Sequence, residues 1–541
     1  MKQVKVTGEF DLSIEQKLKR FDKLSGDRGT WLDHWQEVSE YVLPNREDIN
    51  QTTEPGRKLS TLLLDNTAVH SNELLASFLH SLLTNPNAQW FEMTTGSEEL
   101  DARDDVRRWL QDTTLLMHNT LNNSNFQTEV HELYLDLGAI GTGCMLALED
   151  RESIVRFSTK HIKNYCVAED SKGQISEVYR SFEWNVHQIV EEFGAEVVEK
   201  SQKLMDSYKS GSKHQKTFEI VHVVYPRKVG PSVKSFTFDS QYILKCEKME
   251  LKKGGFRRSP YMTPRWSKRS GEVYGRSPGM TALPEAKMLN AMVKTTLKGA
   301  QKTVDPPLQL PDDGFMMPLD MSPAGINYYR PGTDRIEAIL NDARIDFGFQ
   351  AVSNRQEKVR DSFFVNQLQL NQGPQMTATE VLQRTEEASR LFGPMLGRQQ
   401  SEFLRPLIER VYEILEKRGD IPEVPESLQG RRVDARYNSL IAKSQRLAEG
   451  QAILRTFEAA APFLQLNPEA ADNFNVDEVV KSLARIYGFP QRALHDQVEV
   501  DETREARAQA QQAQLEAEQA AAQAENDQKN AQALASASQA V

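Results

Sequence analysis

The feature that most constrains this 541-residue chain is a cluster of prolines near its middle. Proline has no amide hydrogen and a fixed φ, so neither a helix nor the interior of a sheet can pass through such a cluster. We therefore predict a compact, non-helical excursion over residues 304–333. The prolines are Pro306, Pro307, Pro311, Pro318, Pro323 and Pro331.

Helical periodicity flanks the excursion on both sides. Before it, Leu289, Val293 and Leu297 recur four residues apart, and Pro284 stands at a tolerated first-turn position, which predicts a helix over 283–303. After the prolines, apolar spacing resumes and predicts a second helix over 334–365. The two helices bracket the excursion.

The next stretch, 366–376, contains no charged residue. In a chain that is 26% charged, a stretch of this length averages about three. Its residues are Asn366, Gln367, Leu368, Gln369, Leu370, Asn371, Gln372, Gly373, Pro374, Gln375 and Met376. We predict an uncharged loop here.

A long helix is predicted over 377–420. Thr377 and Glu380 form a capping-box pattern, and apolar spacing continues to Gly419, a residue suited to a helix end. Pro394 and Pro406 are expected to bend this helix. An amphipathic helix of this length needs another surface to cover its apolar side. The surface we expect is a second copy of the chain.

The N-terminal half predicts a different architecture. Helical spacing in the first part gives way after Cys144 to short alternating strands, with a hairpin turn at 170–173 and a helix capped by Asn185. The glycines of 138–143 follow a helix and precede a strand, the reverse of a dinucleotide-binding loop, so they predict a tight helix-to-strand turn. The predicted fold class is α+β and predominantly helical.

Composition excludes several classes of function. No apolar run approaches the roughly 20 residues needed to span a bilayer, and the N-terminus lacks a signal-peptide pattern, so we expect a soluble protein made in a cytoplasm and not bound to a membrane. Cys144, Cys166 and Cys246 are widely spaced and predict buried free thiols, with neither disulfides nor a metal site. The net charge of −11 argues against nucleic-acid binding over the whole surface but permits local basic patches.

Catalytic motifs are missing from the sequence. It contains no GxxxxGK[ST] phosphate loop, no HExxH and no GxSxG. We therefore predict a protein that is not an enzyme and needs no cofactor.

Residues 252–276 form a strongly basic segment with interleaved aromatic residues. Two explanations remain open: contact with phosphates of a nucleic acid, or pairing with acidic surface on a neighbouring subunit, which we favour. The cations are Lys252, Lys253, Arg257, Arg258, Arg265, Lys268, Arg269 and Arg276.

Several segments together resemble a known family. They are Trp31 and Trp35 with 41–44; 65–67 with Leu82, Thr84 and Pro86; Trp90 and Phe91; Gly141, Thr142 and Gly143; and Pro260, Tyr261, Arg265, Trp266, Gly271, Tyr274, Gly275, Pro278, Gly279, Leu283, Leu289 and Asn290. In this order they resemble the portal, or head-to-tail connector, proteins of T7-like short-tailed bacteriophages. The last set is the most specific, because its spacing is fixed over 260–290.

The resemblance implies an architecture for each part of the chain. Residues 1–282 would form a wing, 283–303 and 334–365 two stem helices, 304–333 a clip and 366–376 a loop lining the narrowest part of a tunnel. Residues 377–420 would form a long wing helix and 421–500 a crown. The Ala- and Gln-rich segment 501–541 would be a helix in a barrel or a disordered tail.

The resemblance also implies a function. Subunits would assemble into a dodecameric ring at one capsid vertex of the virion, after synthesis in the host cytoplasm, and double-stranded DNA would pass through the ring during packaging and ejection. Expected partners are the terminase large subunit, tail adaptor proteins, the major capsid protein and scaffolding or internal core proteins. The clip residues implied in terminase or tail-adaptor contact are Pro306, Pro307, Pro311, Phe315, Pro318, Pro323, Tyr328 and Tyr329.

Lys294, Lys298 and Lys302 are four residues apart and share one face of the first stem helix. They either face the DNA channel as basic rings or complement the helix dipole near its C-terminus, and the sequence leaves both open. The rival to the channel as a whole is a non-conducting tail or capsid adaptor ring. Such a ring would not need the order of stem, clip and uncharged loop.

Overall fold

The computed structural model describes residues 12–46, 48–51, 54, 56–57, 63–101, 103–210, 215–227, 236–304, 308–309, 332, 337–338, 345–368, 393–431, 433–437, 440–466, 474–487, 489 and 497–538. The chain divides into two compact units, one of Met1–Trp90 with Leu116–Ile421 and the other of Phe91–Leu115 with Pro422–Val541. Helices predominate and sheets are mixed among them, which confirms the predicted α+β class.

The helices, in chain order, are α1 (Ile14–Asp27), α2 (Gly29–Val42), α3 (Thr67–Leu83), α4 (Glu98–Asp101), α5 (Asp104–Asn123), α6 (Phe126–Ala139), α7 (Val186–Phe193), α8 (Glu196–Glu199), α9 (Gln202–Lys209), α10 (Pro278–Val304), α11 (Ile345–Ser362), α12 (Val365–Leu368), α13 (Arg405–Arg418), α14 (Leu440–Leu466), α15 (Val476–Ile486) and α16 (Gln497–Ser538). The strands are β1 (Phe91–Thr94), β2 (Met145–Asp150), β3 (Ile154–Thr159), β4 (Tyr165–Glu169), β5 (Ile175–Asn185), β6 (Thr217–Pro226), β7 (Phe238–Leu244), β8 (Met249–Phe256), β9 (Tyr261–Met262), β10 (Leu308–Gln309), β11 (Glu337–Ala338) and β12 (Asp434–Tyr437).

The first unit is built on an antiparallel sheet in the order β4-β5-β6-β7-β8. Side chains alternate along β6, so that Phe218 and Ile220 pack into one apolar cluster with residues of α7 to α9. Val221 and Val223 pack into another with Leu18 and residues of α1 and β4. Helices therefore cover both faces of this sheet.

Local signals in this unit agree with the sequence. Asn185 and Gln188 form a capping box at the start of α7. In the 170–173 turn, Asp170 Oδ1 accepts hydrogen bonds from the backbone of Lys172 and Gln174, and Gly173 has a φ of 76°. The predicted helix-to-strand turn at 138–143 is confirmed between α6 and β2, the latter in a second sheet of order β3-β2-β9.

The first stem helix starts earlier than predicted. We expected it to begin at 283, but α10 begins at Pro278, because Ser277 Oγ accepts a hydrogen bond from Met280 N at 2.9 Å and Pro278 is suited to a first turn. Pro284 consequently lies inside the helix.

The second stem helix starts later than predicted. Expected from 334, α11 begins at Ile345, and Glu337–Ala338 pairs instead with Leu308–Gln309 as an antiparallel ladder. The pairing satisfies backbone groups that the expected helix would have used. After Ser362, a break precedes the short helix α12.

The predicted long helix is described from residue 393. It is α-helical over 393–399, π-helical over Gln400–Leu404 and α-helical again to Arg418, with Gly419 in the left-handed conformation at its end. Arg405 N donates to Gln400 O, five residues back, just before Pro406, which has no amide hydrogen to donate. The expected irregularity at Pro406 is therefore a π segment.

In the second unit, β1 pairs with β12 in antiparallel register, from Phe91 with Tyr437 to Thr94 with Asp434. Trp109 Nε1 donates to Pro422 O at 3.0 Å, which joins α5 to the segment after residue 421. At the C-terminus α16 extends from Gln497 to Ser538.

One thiol prediction is wrong. Cys144 and Cys166 are buried, but Cys246 is exposed, because it lies in the turn between β7 and β8. Within the part of the chain that the structure describes, no helix combines the length and the apolar character needed to cross a bilayer.

Candidate functional site

The predicted clip lies almost entirely outside the described residues. These undescribed positions include all eight of its candidate contact residues, Pro306, Pro307, Pro311, Phe315, Pro318, Pro323, Tyr328 and Tyr329. The tunnel-loop residues Gln369, Leu370, Asn371, Gln372, Gly373, Pro374, Gln375 and Met376 lie outside as well. The backbone of Asn366, Gln367 and Leu368 is helical, in α12. The described part of the candidate site is therefore α10 and α11, the two predicted stem helices, with the residues packed at the start of α10.

Helices α10 and α11 pack directly against each other. Gly348 of α11 allows the close approach, since a Cβ at this position would lie 3.1 Å from Thr296 Oγ1 of α10. Arg355 pairs with Glu285, closer to the start of α10. Gln356 Nε2 donates to Asp65 Oδ2 at 2.7 Å, and Asn290 Oδ1 accepts from Leu64 N at 2.7 Å. Both helices are thus tied to the segment before α3.

Lys294, Lys298 and Lys302 are all exposed on α10. Among the described residues none forms an ion pair with them, whereas Lys287, two turns earlier, pairs with Glu37 at 2.8 Å. Thr296, which faces α11, is two residues from both Lys294 and Lys298, so the lysines point to the opposite side of the helix. They form an accessible basic face.

The helix dipole accounts for part of this face. Dipole effects fade within the last turn, so they can concern Lys302 near Val304 but not Lys294, which lies more than two turns earlier. After Glu285, α10 contains no further acidic residue. The charge of Lys294 and Lys298 therefore has no counterpart on their own helix.

The glycine-rich motifs of the sequence meet at the root of α10. Gly141 has a φ of 85°, and a Cβ there would lie 2.7 Å from Gly275 O. Thr142 Oγ1 accepts a hydrogen bond from Gly275 N at 2.8 Å. A Cβ on Gly279 would lie 2.9 Å from Ala139 O. These glycines are required because two backbone segments touch.

The tryptophan motif reaches the same junction. Trp35 is fully buried and meets the Tyr274 ring edge-on, with centroids 5.0 Å apart, and the Trp31 ring lies 6.0 Å from Tyr274. Ser277 Oγ donates to Ala139 O at 2.6 Å, immediately before α10 begins. The motifs at 31–35, 141–143 and 274–279 thus pack together at the start of α10.

The basic segment 252–276 finds acidic partners within its own chain. Arg257 pairs with Glu416 at 2.8 Å and Arg258 with Glu409 at 3.1 Å. Both glutamates lie on α13. Arg276 pairs with Glu272 at 2.7 Å. Our preferred interpretation, pairing with a neighbouring subunit, is therefore corrected for these cations: the acidic surface belongs to the same polypeptide.

Arg265 lies at the centre of this segment and is 1% exposed. Its guanidinium pairs with Glu169 and with Glu402, and also donates to Val273 O and Gly173 O, both at 3.0 Å. Burial lowers the pKa of Arg265, but the hydrogen bonds and charges of Glu402 and Glu169 outweigh it, so the pKa is raised overall. Sequence reasoning missed both carboxylates, because neither stands in a motif.

Metal chemistry finds no support in the described ranges. They contain no group of three or more His, Cys, Asp and Glu side chains placed to bind an ion. His222 is buried, with Nδ1 2.6 Å from Tyr261 Oη and Nε2 2.9 Å from Ser240 Oγ. Burial lowers the pKa of His222 to about 3. It serves the core of the sheet.

The chain is similar to two phage portal proteins over most of its length. A probable portal protein of Bordetella phage BPP-1 is 29% identical over 516 residues, covering 92% of this chain and 91% of that protein. A portal protein of Salmonella phage epsilon15 is 27% identical over 521 residues, covering 92% of each. A chain in the virion of a native gene transfer agent particle aligns with a TM-score of 0.35 at 10% identity, over 73% of this chain and 86% of that one.

The family described as bacteriophage head to tail connecting protein matches residues 15–494, nearly the whole chain. The narrower resemblance to T7-like phages stays a prediction. The chain belongs to the bacteriophage head-to-tail connecting protein family.

Proposed function

We propose that the protein is a portal: a closed, dodecameric ring at one capsid vertex that conducts double-stranded DNA and joins head to tail. Two relatives that match 92% of the chain carry the name of portal protein. This near-complete correspondence is the observation that carries the proposal. The ring would belong to the virion and assemble in the host cytoplasm.

Within this ring, α10 would place its basic face toward the channel. Lys294, Lys298 and Lys302 are exposed, point away from α11 and have no acidic partner among the described residues. Repeated around a ring, they would attract the phosphate backbone without reading its sequence. The uncharged loop 366–376 would then form a narrow passage without fixed cations that could slow sliding DNA.

The partners follow from this arrangement. The clip, with Phe315, Tyr328 and Tyr329, would contact the terminase large subunit during packaging and tail adaptor proteins afterwards. The wing and crown would contact major capsid and scaffolding or internal core proteins. Since the sequence has no phosphate-binding loop, the energy for packaging would come from the terminase, and the purified protein should not hydrolyse ATP.

Replacing the three lysines tests the channel role. Particles with Lys294→Gln, Lys298→Gln and Lys302→Gln should retain less DNA at 0.15 M salt, while the ring keeps its mass, because the attraction for phosphate is lost. The deficit should shrink at about 0.5 M salt, where exposed charges are screened. A control that removes the same charge elsewhere is Lys19→Gln, Lys23→Gln and Lys203→Gln, all exposed positions of α1 and α9.

Three results would contradict the proposal. DNA content equal to wild type in the stem variant would remove the role of the basic face. Purified protein that forms only monomers or open filaments by mass photometry and negative-stain imaging would exclude the ring. A closed ring that is not found at the vertex through which DNA passes in filled particles would favour the non-conducting adaptor.

A further inference from the structure

Two adjacent residues contact the chain on both sides of the predicted tunnel loop. The Trp266 ring stacks on Phe364, which precedes the loop, with centroids 6.4 Å apart and planes 28° from parallel. Arg265 pairs with Glu402, which follows the loop. Residues far apart in the sequence are thereby attached to one dipeptide.

The contact on the far side is extensive and buried. Arg265 Nε donates to Glu402 Oε2 at 3.1 Å and Nη2 to Oε1 at 2.6 Å, a two-pronged arrangement that fixes the carboxylate in orientation as well as distance. Arg265 N also donates to Glu402 Oε2 at 3.0 Å. Gln399 is fully buried, and its Nε2 donates to Arg265 O at 3.0 Å. Side chain and backbone of Arg265 are both engaged.

The π segment positions the Glu402 carboxylate and the Gln399 amide relative to each other. Glu402 lies within Gln400–Leu404, where the wider helical turn changes the direction of the side chains that follow Gln399. A regular α-helix would give Glu402 a different orientation relative to Gln399. The irregular turn therefore allows both residues to reach Arg265.

The contact on the near side restrains an unfavourable backbone. Phe364 has a φ of 61°, in the left-handed region that a residue with a Cβ rarely adopts. Its neighbours Phe363 and Val365 are buried, at 0% and 1% exposure, so the break between α11 and α12 is fixed on both sides. The Trp266 ring stacks on the ring of Phe364, between these two buried neighbours in the sequence.

The dipeptide is itself attached to the base of the stem. Trp266 N donates to Gly141 O at 2.9 Å, and Gly143 N donates to Pro264 O at 3.0 Å. Thr142 and Arg265 pair as an isolated antiparallel bridge. Movement of either flank would therefore act against the turn that follows α6.

We infer that Arg265 and Trp266 form a clamp, defined by their contacts to Phe364, Gln399 and Glu402, that couples the two flanks of the predicted tunnel loop. The role of the loop rests on the proposed function, whereas the coupling itself does not. These are positioning residues: any effect on DNA passage would come through the two flanks that they couple.

Hydrogen exchange of the purified ring tests the coupling. Trp266→Ala should raise exchange about tenfold in peptides covering 363–368, and also in those covering 393–404, since one flank loosens the other. Glu402→Gln should also raise exchange in both sets of peptides, because loosening the 393–404 flank should loosen the 363–368 flank. Trp266→Phe, which keeps a ring against Phe364, should exchange like wild type. Glu409→Gln is the matched control, because Glu409 pairs with the more exposed Arg258.

The outcomes separate the clamp from the portal role. Faster exchange on both flanks in each variant supports the clamp, and faster exchange confined to the mutated flank overturns it. DNA retention in Trp266→Ala particles tests the functional half: loss with unchanged ring mass supports a role of the clamp in DNA passage, and full retention despite coupled exchange overturns that role. Failure of the three-lysine experiment would leave the exchange result intact.

Discussion

Adding one methyl group at Gly275 should destabilise the base of the stem. A Cβ at this position would overlap the carbonyl oxygen of Gly141 and lie 3.0 Å from Arg265 Cβ. Both obstacles are rigid, because Gly141 O accepts from Trp266 N and Arg265 donates from its backbone and side chain to Glu402. The backbone segments must therefore separate.

The cost can be approximated from these contacts. Overpacking of this kind costs about 1–3 kcal/mol. Displacing Gly141 also breaks its hydrogen bond from Trp266, which adds about 1 kcal/mol. Gly275→Ala should therefore lower the free energy of unfolding by about 3 kcal/mol.

Gly271→Ala is the matched control. Gly271 lies in the same segment and has a φ of 83°, but no atom stands within 4 Å of a Cβ placed there. Its cost is the backbone strain alone, about 1 kcal/mol. Thermal unfolding followed by tryptophan fluorescence should give Gly275→Ala a midpoint about 2 °C below that of Gly271→Ala, because the unfolding entropy of a chain of this length is large. Equal midpoints would refute close backbone contact as the reason for glycine at 275.

Three further outcomes are expected. A thiol reagent should label Cys246 alone in the native protein and all three cysteines after denaturation, because the other two are buried. His222 has a folded pKa of about 3, below its usual value, so stability is lost as pH falls below about 6.5, by about 1.4 kcal/mol per unit, and His222→Gln should lose about 2 kcal/mol less than wild type between pH 7 and pH 5. Phe347→Ser with Phe349→Ser should lower the yield of closed rings by mass photometry, since these side chains are 72% and 53% exposed on the stem, whereas Tyr208→Ser, at 43%, should not.

Short-range signals in the sequence were sufficient for much of the fold. The Asn185 cap, the 170–173 turn and the C-terminal Gly419 each depend on contacts within a few residues. The same holds for the exposure of Lys294 and Lys298, because four-residue spacing places them on one helix face. These features need no knowledge of distant partners.

Stem boundaries required more than periodicity. The start of α10 depends on Ser277, whose hydroxyl also donates to Ala139, in a helix far earlier in the chain. The delayed start of α11 depends on Leu308–Gln309 providing a strand partner. In both places tertiary contacts decide between two local conformations that the sequence permits.

The partners of Arg265 were beyond sequence reasoning for the same reason, since Glu169 and Glu402 are 96 and 137 positions away. The basic segment looked like a binding surface because its charges are adjacent in sequence and their counterions are not. Removing Arg265 would leave Glu169 paired with Lys268 and Glu402 paired with Arg398 at 3.5 Å, so each carboxylate would lose its most buried partner. Much of the positive charge of this segment is thus balanced within the fold.

The fixed spacing of 260–279 now has a physical cause. Arg265 and Trp266 bind the 141–143 turn at one end of the segment, and Gly275 and Gly279 touch the same region at the other. Between them, Arg276 N donates to Ser267 O, so the intervening residues form a closed hairpin of set length. An insertion there would move either the clamp or the first turn of α10 off its contacts. The segment that joins stem to body therefore cannot change length without changing the stem's direction.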